Sequence, residues 1–222
     1  MITAVNKYID QTILKPDATE KEIAIFVEGI KKYEFYCACV NSCWIDFVRK
    51  RLPETIKVCS VVGFPLGASS TKIKVLEAEE LLRNGCDEID MVMNIGRLKG
   101  SDYKYVAKEI KAVAEIARKK ILKVIIETCL LNNEEKLAAA NIIKESGAQF
   151  VKTSTGFSKD GAKIEDIRLI RKVVGQNFGI KASGGIRDYE TVKNFIEAGA
   201  NRIGTSAGEK IMEQALTALD KS

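Results

Sequence analysis

Three times in this chain a helical segment ends in the same way: Arg83-Asn-Gly-Cys-Asp-Glu-Ile89, Glu145-Ser-Gly-Ala-Gln-Phe-Val151 and Glu197-Ala-Gly-Ala-Asn-Arg-Ile203. Each reads as helix end, glycine, small residue, strand. Glycine just past a helix can take the left-handed backbone that closes it. The three copies point to a repeated αβ unit.

The rest of the chain alternates in the same sense. Short β-rich apolar runs fall at 8–14, 35–40, 57–62, 88–93, 122–128, 150–153, 178–182 and 202–204. Between them lie stretches whose apolar residues recur with helical spacing: 19–32, 71–84, 103–119, 134–146, 164–174 and 190–198. In the segment from Thr71, Val75, Ala78, Leu81 and Leu82 fall on one face, and Ile73, Leu76 and Glu80 on the other. Eight βα units at about 28 residues each predict an α/β fold, a single (β/α)8 TIM barrel. With no Pro/Ser-rich linker and no low-complexity tract, residues 1–222 read as one barrel domain. The alternative is a doubly wound open sheet. No Gly-x-Gly-x-x-Gly follows the first strand, which counts against a dinucleotide-binding version of it.

Composition narrows the chemistry. Hydrophobic residues make up 46% of the 222 residues and charged residues 29%, enough for a large core under a charged surface. The net charge of +5 is spread along helix faces, as at Lys31-Lys32, Lys119-Lys120 and Arg171-Lys172. Without a basic run interleaved with aromatics, no nucleic-acid partner is expected. The segment from Met1 to Leu14 lacks the charge-then-apolar pattern of a leader, and no apolar run reaches the roughly 18 residues of a span. A cytoplasmic protein with no membrane partner is therefore expected. A homodimer is the expected assembly, with no residue pattern of its own behind it. The six cysteines (37, 39, 43, 59, 86 and 129) read as reduced core thiols. Cys37, Cys39 and Cys43 cluster, but there is no second Cys pair at zinc spacing and no histidine anywhere, so neither a metal nor another cofactor is expected. The missing histidine also removes every mechanism built on an imidazole. Chemistry must run on Lys, Asp/Glu, Tyr, Cys or backbone groups.

Barrel strands alternate between interior and helix layer, and reactive groups sit at their C-terminal ends. Strand four puts Glu88, Asp90, Val92 and Asn94 on one face and Ile89, Met91 and Met93 on the other. Glu127 lies near the end of strand five, Lys152 in strand six, and Lys181 in strand seven. Two lysines therefore project inward from adjacent strands, with carboxylates nearby. A buried ion-pair network filling the barrel is the purely structural explanation, but buried lysine is costly unless paired. The functional explanation is an amine nucleophile. A lysine of pKa ~10.4 is neutral in about one molecule in ~2,500 at pH 7, and a neighbouring ammonium and burial both lower that pKa. Nothing in the spacing says which lysine is the nucleophile and which the activator. Asp90 can move protons for either.

Three glycine-rich segments follow strands six, seven and eight: Thr153-Ser-Thr-Gly156, Ser183-Gly-Gly185 and Gly204-Thr-Ser-Ala-Gly208. Loops after strands seven and eight of a barrel often hold phosphate on backbone N–H groups, with Ser and Thr adding hydroxyl donors. Ordinary βα turns share this composition. Gly63-Phe-Pro-Leu-Gly67 reads as a shaped turn bordering the pocket.

Seven segments, in order along nearly the whole chain, resemble the deoxyribose-phosphate aldolases. They are Asp10-Gln-Thr-Ile-Leu-Lys-Pro-Asp-Ala-Thr19, Val61-Val-Gly-Phe-Pro-Leu-Gly67, Glu88-Ile-Asp-Met-Val-Met-Asn-Ile-Gly96, Lys123-Val-Ile-Ile-Glu-Thr128, Val151-Lys-Thr-Ser-Thr-Gly-Phe157, Lys181-Ala-Ser-Gly-Gly-Ile-Arg187 and Arg202-Ile-Gly-Thr-Ser206. The resemblance implies a class I aldolase that cleaves 2-deoxy-D-ribose 5-phosphate reversibly to acetaldehyde and D-glyceraldehyde 3-phosphate, without a metal. It implies Lys152 as the Schiff-base lysine, Lys181 as the lysine that perturbs it, and Asp90 as the proton-transfer acid/base. It places Thr155, Gly156, Ser183, Gly184, Gly185, Gly204 and Ser206 around the small phosphorylated sugar. Two departures stand out. The first motif usually reads Asp-His-Thr and here has Gln11, which cannot titrate. The C-terminal tyrosine of some members has no counterpart, the last tyrosine being Tyr189. Two other classes fit a phosphate-binding barrel: an acid–base isomerase without a covalent lysine, and a non-catalytic barrel whose lysines hold an anion.

Overall fold

The computed structural model describes residues 4–219; the first three residues of the segment read for a leader, and the chain's last three, lie outside the described residues. Eight parallel strands close into a barrel in sequence order. They are β1 (Ile9–Ile13), β2 (Cys37–Val40), β3 (Lys57–Val62), β4 (Glu88–Val92), β5 (Ile121–Ile125), β6 (Phe150–Lys152), β7 (Gly179–Ser183) and β8 (Arg202–Thr205), with β8 pairing back onto β1. The helices are α1 (Glu20–Tyr33), α2 (Ile45–Arg49), α3 (Thr71–Arg83), α4 (Ile95–Lys99), α5 (Tyr103–Ala117), α6 (Asn133–Glu145), α7 (Ile164–Val174), α8 (Tyr189–Glu197) and α9 (Gly208–Leu219). The expected barrel is the observed one. Among the described residues no helix is long and apolar enough to cross a membrane.

Local chemistry accounts for the element ends. Thr19 and Glu22 form a reciprocal capping box on α1, and Asn132 and Glu135 form another on α6, each satisfying free helical N–H groups. The three junction glycines, Gly85, Gly147 and Gly199, have φ of 95°, 85° and 111°, the region that closes a helix cheaply only for glycine. The short α2 and α4 were not expected, because five residues are too few to show a helical period.

Strand five is shorter than its apolar run. It ends at Ile125, and Glu127 takes a left-handed conformation (φ 54°, ψ 67°) that leaves the ladder and starts a 3-10 turn at Thr128. Glu127 is thus a loop residue rather than a strand residue. The cysteines also correct expectation: Cys37, Cys39, Cys59 and Cys86 are buried, but Cys43 is exposed and Cys129 half-buried.

On α3, Ala78 and Leu81 are buried while Ile73 and Leu76 face outward, as their spacing predicts. Lys74 is fully buried as well, a placement its charge concealed. Its Nζ lies 2.9 Å from Glu109 on α5 and donates to the carbonyls of Gly67 (2.8 Å) and Val92 (2.9 Å). Glu109 in turn accepts from the Asn94 amide at 3.0 Å. This pair ties down the chain where it leaves β4, the strand that carries Asp90.

Candidate active site

The strand register sets the interior chemistry. Asp90 on β4 pairs with Lys123 on β5, Lys152 on β6 with Lys181 on β7, and Lys181 with Arg202 on β8. With inward side chains on the same parity, these charges meet inside the barrel. Asp90 Oδ2 accepts from Lys152 (2.8 Å) and Lys181 (2.7 Å), and its Oδ1 accepts from Lys123 (2.8 Å). Lys181 also reaches Asp10 Oδ2 at 2.5 Å; Asp10 Oδ1 accepts from Arg202 at 2.9 Å; Glu88 joins Arg202 (2.6 Å) to Lys123 (2.5 Å). The result is a closed ring of alternating charge: Asp90, Lys181, Asp10, Arg202, Glu88, Lys123 and back to Asp90. Lys152 hangs from this ring as a fourth cation against three carboxylates.

The ring sets the protonation of its members. Burial alone would raise the Asp90 carboxyl, but the ammonium groups of Lys123, Lys152 and Lys181 outweigh it and hold the pKa well below the usual range. Burial would likewise lower the Lys181 pKa, and the Asp10 and Asp90 charges override it, raising the pKa instead. Lys181 is therefore a fixed positive charge. The sequence presents it as an uncompensated second lysine; the fold supplies two carboxylates. Asp10, Glu88, Lys123 and Arg202 were missed as site residues. The available signal was a charged residue inside each of four apolar strands, Lys123 between Leu122 and Val124 being the plainest.

Above the ring, at the C-terminal ends of the strands, opens a cavity of about 580 Å³. Lys152 lines it, together with Thr155, Gly156, Ser183, Gly184, Gly185, Gly204 and Ser206. Every expected recognition residue therefore gathers in one cavity with Lys152. Asp90 and Lys181 do not line the cavity; they lie beneath it, fully buried. The amides of Gly185 and Ser206 have no backbone acceptor among the described residues, which leaves them free to donate to a bound group. Ser183 is also held by its own turn. Its hydroxyl donates to the Ser154 carbonyl at 2.6 Å and its amide to Thr153 Oγ1 at 3.1 Å, so it shapes the turn. A Cβ on Gly204 would sit 2.9 Å from Ser183 Cβ and 3.0 Å from Lys181 Cε, so glycine there lets β8 approach the lysine. Against expectation, no residue of the Gly63–Gly67 turn lines the cavity; Phe64 packs its ring edge-on, at 5.3 Å, against that of the lining residue Phe157.

Gln11 has an orienting role. Its Oε1 accepts from the Gly208 amide at 3.0 Å, and its Nε2 donates to the Ser206 carbonyl at 3.4 Å. It thus fixes the loop between β8 and α9 without a titrating group. Tyr189 begins α8, is buried, and does not line the cavity. Cys37, Cys59 and Glu88, and likewise Cys39, Cys59 and Asp90, lie close enough together to hold a metal. Lys123, touching Cys59, Glu88 and Asp90, puts a positive charge where a cation would sit.

Residues 4–214 match the family model described as DeoC/LacD family aldolase. The chain belongs to this aldolase family. A deoxyribose-phosphate aldolase of Caldanaerobacter subterraneus subsp. tengcongensis is 54% identical over 95% of this chain and 93% of its own length. Among solved structures, one described as "QR15, an Aldolase" superposes with a TM-score of 0.94 at 43% identity, covering 99% of this chain and 98% of that one. The deoxyribose phosphate aldolase of Aeropyrum pernix, described as tetrameric, gives 0.88 at 30% identity, covering 97% and 92%.

Proposed function

We propose that this chain cleaves 2-deoxy-D-ribose 5-phosphate reversibly to acetaldehyde and D-glyceraldehyde 3-phosphate, through a Schiff base on Lys152. The observation that carries this reading is that Lys152 alone among the four interior cations lines the cavity, while sharing Asp90 with Lys181.

The chemistry follows from that placement. The Lys152 amine attacks the C1 aldehyde to give a carbinolamine, which loses water to an iminium ion. The 3-hydroxyl then loses its proton, the C2–C3 bond breaks toward the iminium, and glyceraldehyde 3-phosphate leaves. The enamine left behind is protonated at carbon, and water releases acetaldehyde and free amine. Asp90 carries protons at the dehydration and enamine steps. Lys181 keeps a positive charge beside the reacting nitrogen throughout. The loops at 155–156, 183–185 and 204–206 hold the sugar and its phosphate. The setting we assign is cytoplasmic catabolism of deoxyribose phosphates, by one barrel domain per chain in a homodimer; sedimentation separates that dimer from a tetramer.

Borohydride reduction with acetaldehyde tests the covalent step. An ethyl adduct on Lys152 is expected by peptide mass mapping; no adduct, or one on Lys181 alone, refutes the assignment. Gln11→Ala should raise KM for the phosphorylated sugar by roughly tenfold with kcat nearly unchanged, since it removes a cap from α9 rather than a reacting group. Steady-state kinetics showing a kcat loss without a KM change would contradict this.

A further inference from the structure

Glu127 is not used by the mechanism above, yet it is 2% exposed and held in a left-handed backbone that is strained for a non-glycine residue. Its carboxylate is held mainly by Thr155, with the Cys129 thiol at 4.0 Å from Oε1. The Thr155 amide donates to Oε1 and Oε2, each at 3.3 Å, and the Thr155 hydroxyl donates to Oε2 at 2.5 Å. Thr155 Oγ1 in turn accepts from the Phe157 amide at 3.0 Å. A hydroxyl has one proton and two lone pairs. Here the proton is engaged by Glu127 and one lone pair by Phe157, so one lone pair remains. Thr155 lines the cavity three residues after Lys152.

We propose that Glu127 is a positioning residue: it turns the Thr155 proton away from the cavity, leaving Thr155 an acceptor that favours aldehydes bearing a hydroxyl group. The proposal rests on the aldolase reading and deepens it. Burial raises the Glu127 carboxyl, while the Thr155 bonds and the Lys152 charge oppose that rise. Cys129 Sγ, at 4.0 Å, is the other titratable neighbour. An ionised carboxylate can only accept, which fixes the direction of the Thr155 bond. A substrate hydroxyl pairs the remaining lone pair, whereas a methyl in its place leaves that lone pair unpaired and desolvated.

The test compares glycolaldehyde with propanal, which differ by hydroxyl for methyl, as acceptors for acetaldehyde. The wild-type enzyme should favour glycolaldehyde in kcat/KM by about tenfold, a preference that Thr155→Ser keeps. Glu127→Ala and Thr155→Val should each bring the ratio to within about twofold, and the double variant should go no further. Glu127→Ala should still trap acetaldehyde on Lys152, which shows that the barrel is intact. A wild-type enzyme indifferent to the two aldehydes, an unchanged ratio in Glu127→Ala, an equal loss for both acceptors, or additive effects would each overturn the proposal. Failure of the wild-type enzyme to trap acetaldehyde would instead overturn the aldolase reading beneath it.

Discussion

Lys152→Ala is expected to lower cleavage of 2-deoxy-D-ribose 5-phosphate by roughly 10⁴-fold or more, since it removes the amine proposed to form the covalent intermediate. The same change should leave the fold almost untouched. Asp90 keeps Lys123 and Lys181, and no carboxylate of the ring loses its last partner. The shift in Tm should therefore stay within about 3 °C, or about 1 kcal/mol for a chain of this length. Single-turnover assays and thermal unfolding measure the two quantities. Cleavage near the wild-type rate refutes the mechanism, and gross unfolding refutes the view that Lys152 is appended to a self-sufficient ring.

Asp90→Asn should do the opposite and damage both. The amide keeps the shape but removes a charge shared by three ammonium groups, leaving four cations facing two carboxylates. Uncompensated buried charge of this kind costs about 3–5 kcal/mol. That corresponds to a Tm lower by about 10 °C. Loss of the proton carrier should cost a further factor of about 10²–10⁴ in kcat. Stability against pH separates this from a packing defect. The wild-type Asp90 pKa is depressed in the folded state, so its contribution is complete above the unfolded value of about 3.9 and disappears as pH falls through the folded value. Lys123 and Lys181 are raised, so theirs is complete below about 10.4 and disappears as pH rises through their folded values. The wild-type protein should thus hold a plateau of stability between those limits. Asp90→Asn should lose less stability than the wild type on acidification from pH 5 to 3. Denaturant titrations that give parallel acid limbs for the two proteins would refute the ring account.

The barrel was legible because its repeat is written in backbone requirements. Gly85, Gly147 and Gly199 mark the same left-handed corner three times, and strand parity brought Asp90, Lys152 and Lys181 to the interior. What escaped the sequence was partnership. Lys181 looks uncompensated until β1 closes against β8 and delivers Asp10, a contact across nearly the whole chain. Lys123 and Lys74 hid as ordinary charges in helix- and strand-forming runs, because only packing shows that each is enclosed. Ser183 lines the cavity, and only the fold shows that its hydroxyl donates to the Ser154 carbonyl. Glu127 sits in an apolar run that predicts strand, and only its backbone angles put it beside Thr155. By parity the two inward lysines were equivalent; the motif resemblance told them apart, and the cavity opens on Lys152 and not on Lys181.

The closed ring of alternating charge bears on how such an enzyme can be altered. Each of its six members touches at least two of opposite sign, so replacing one strands its neighbours, and tolerated changes there would come as paired exchanges. The glycine loops above it carry no such obligation. Directed evolution toward new aldehydes should therefore accumulate substitutions along the cavity rim, while the ionic layer under Lys152 passes unchanged from one specificity to the next.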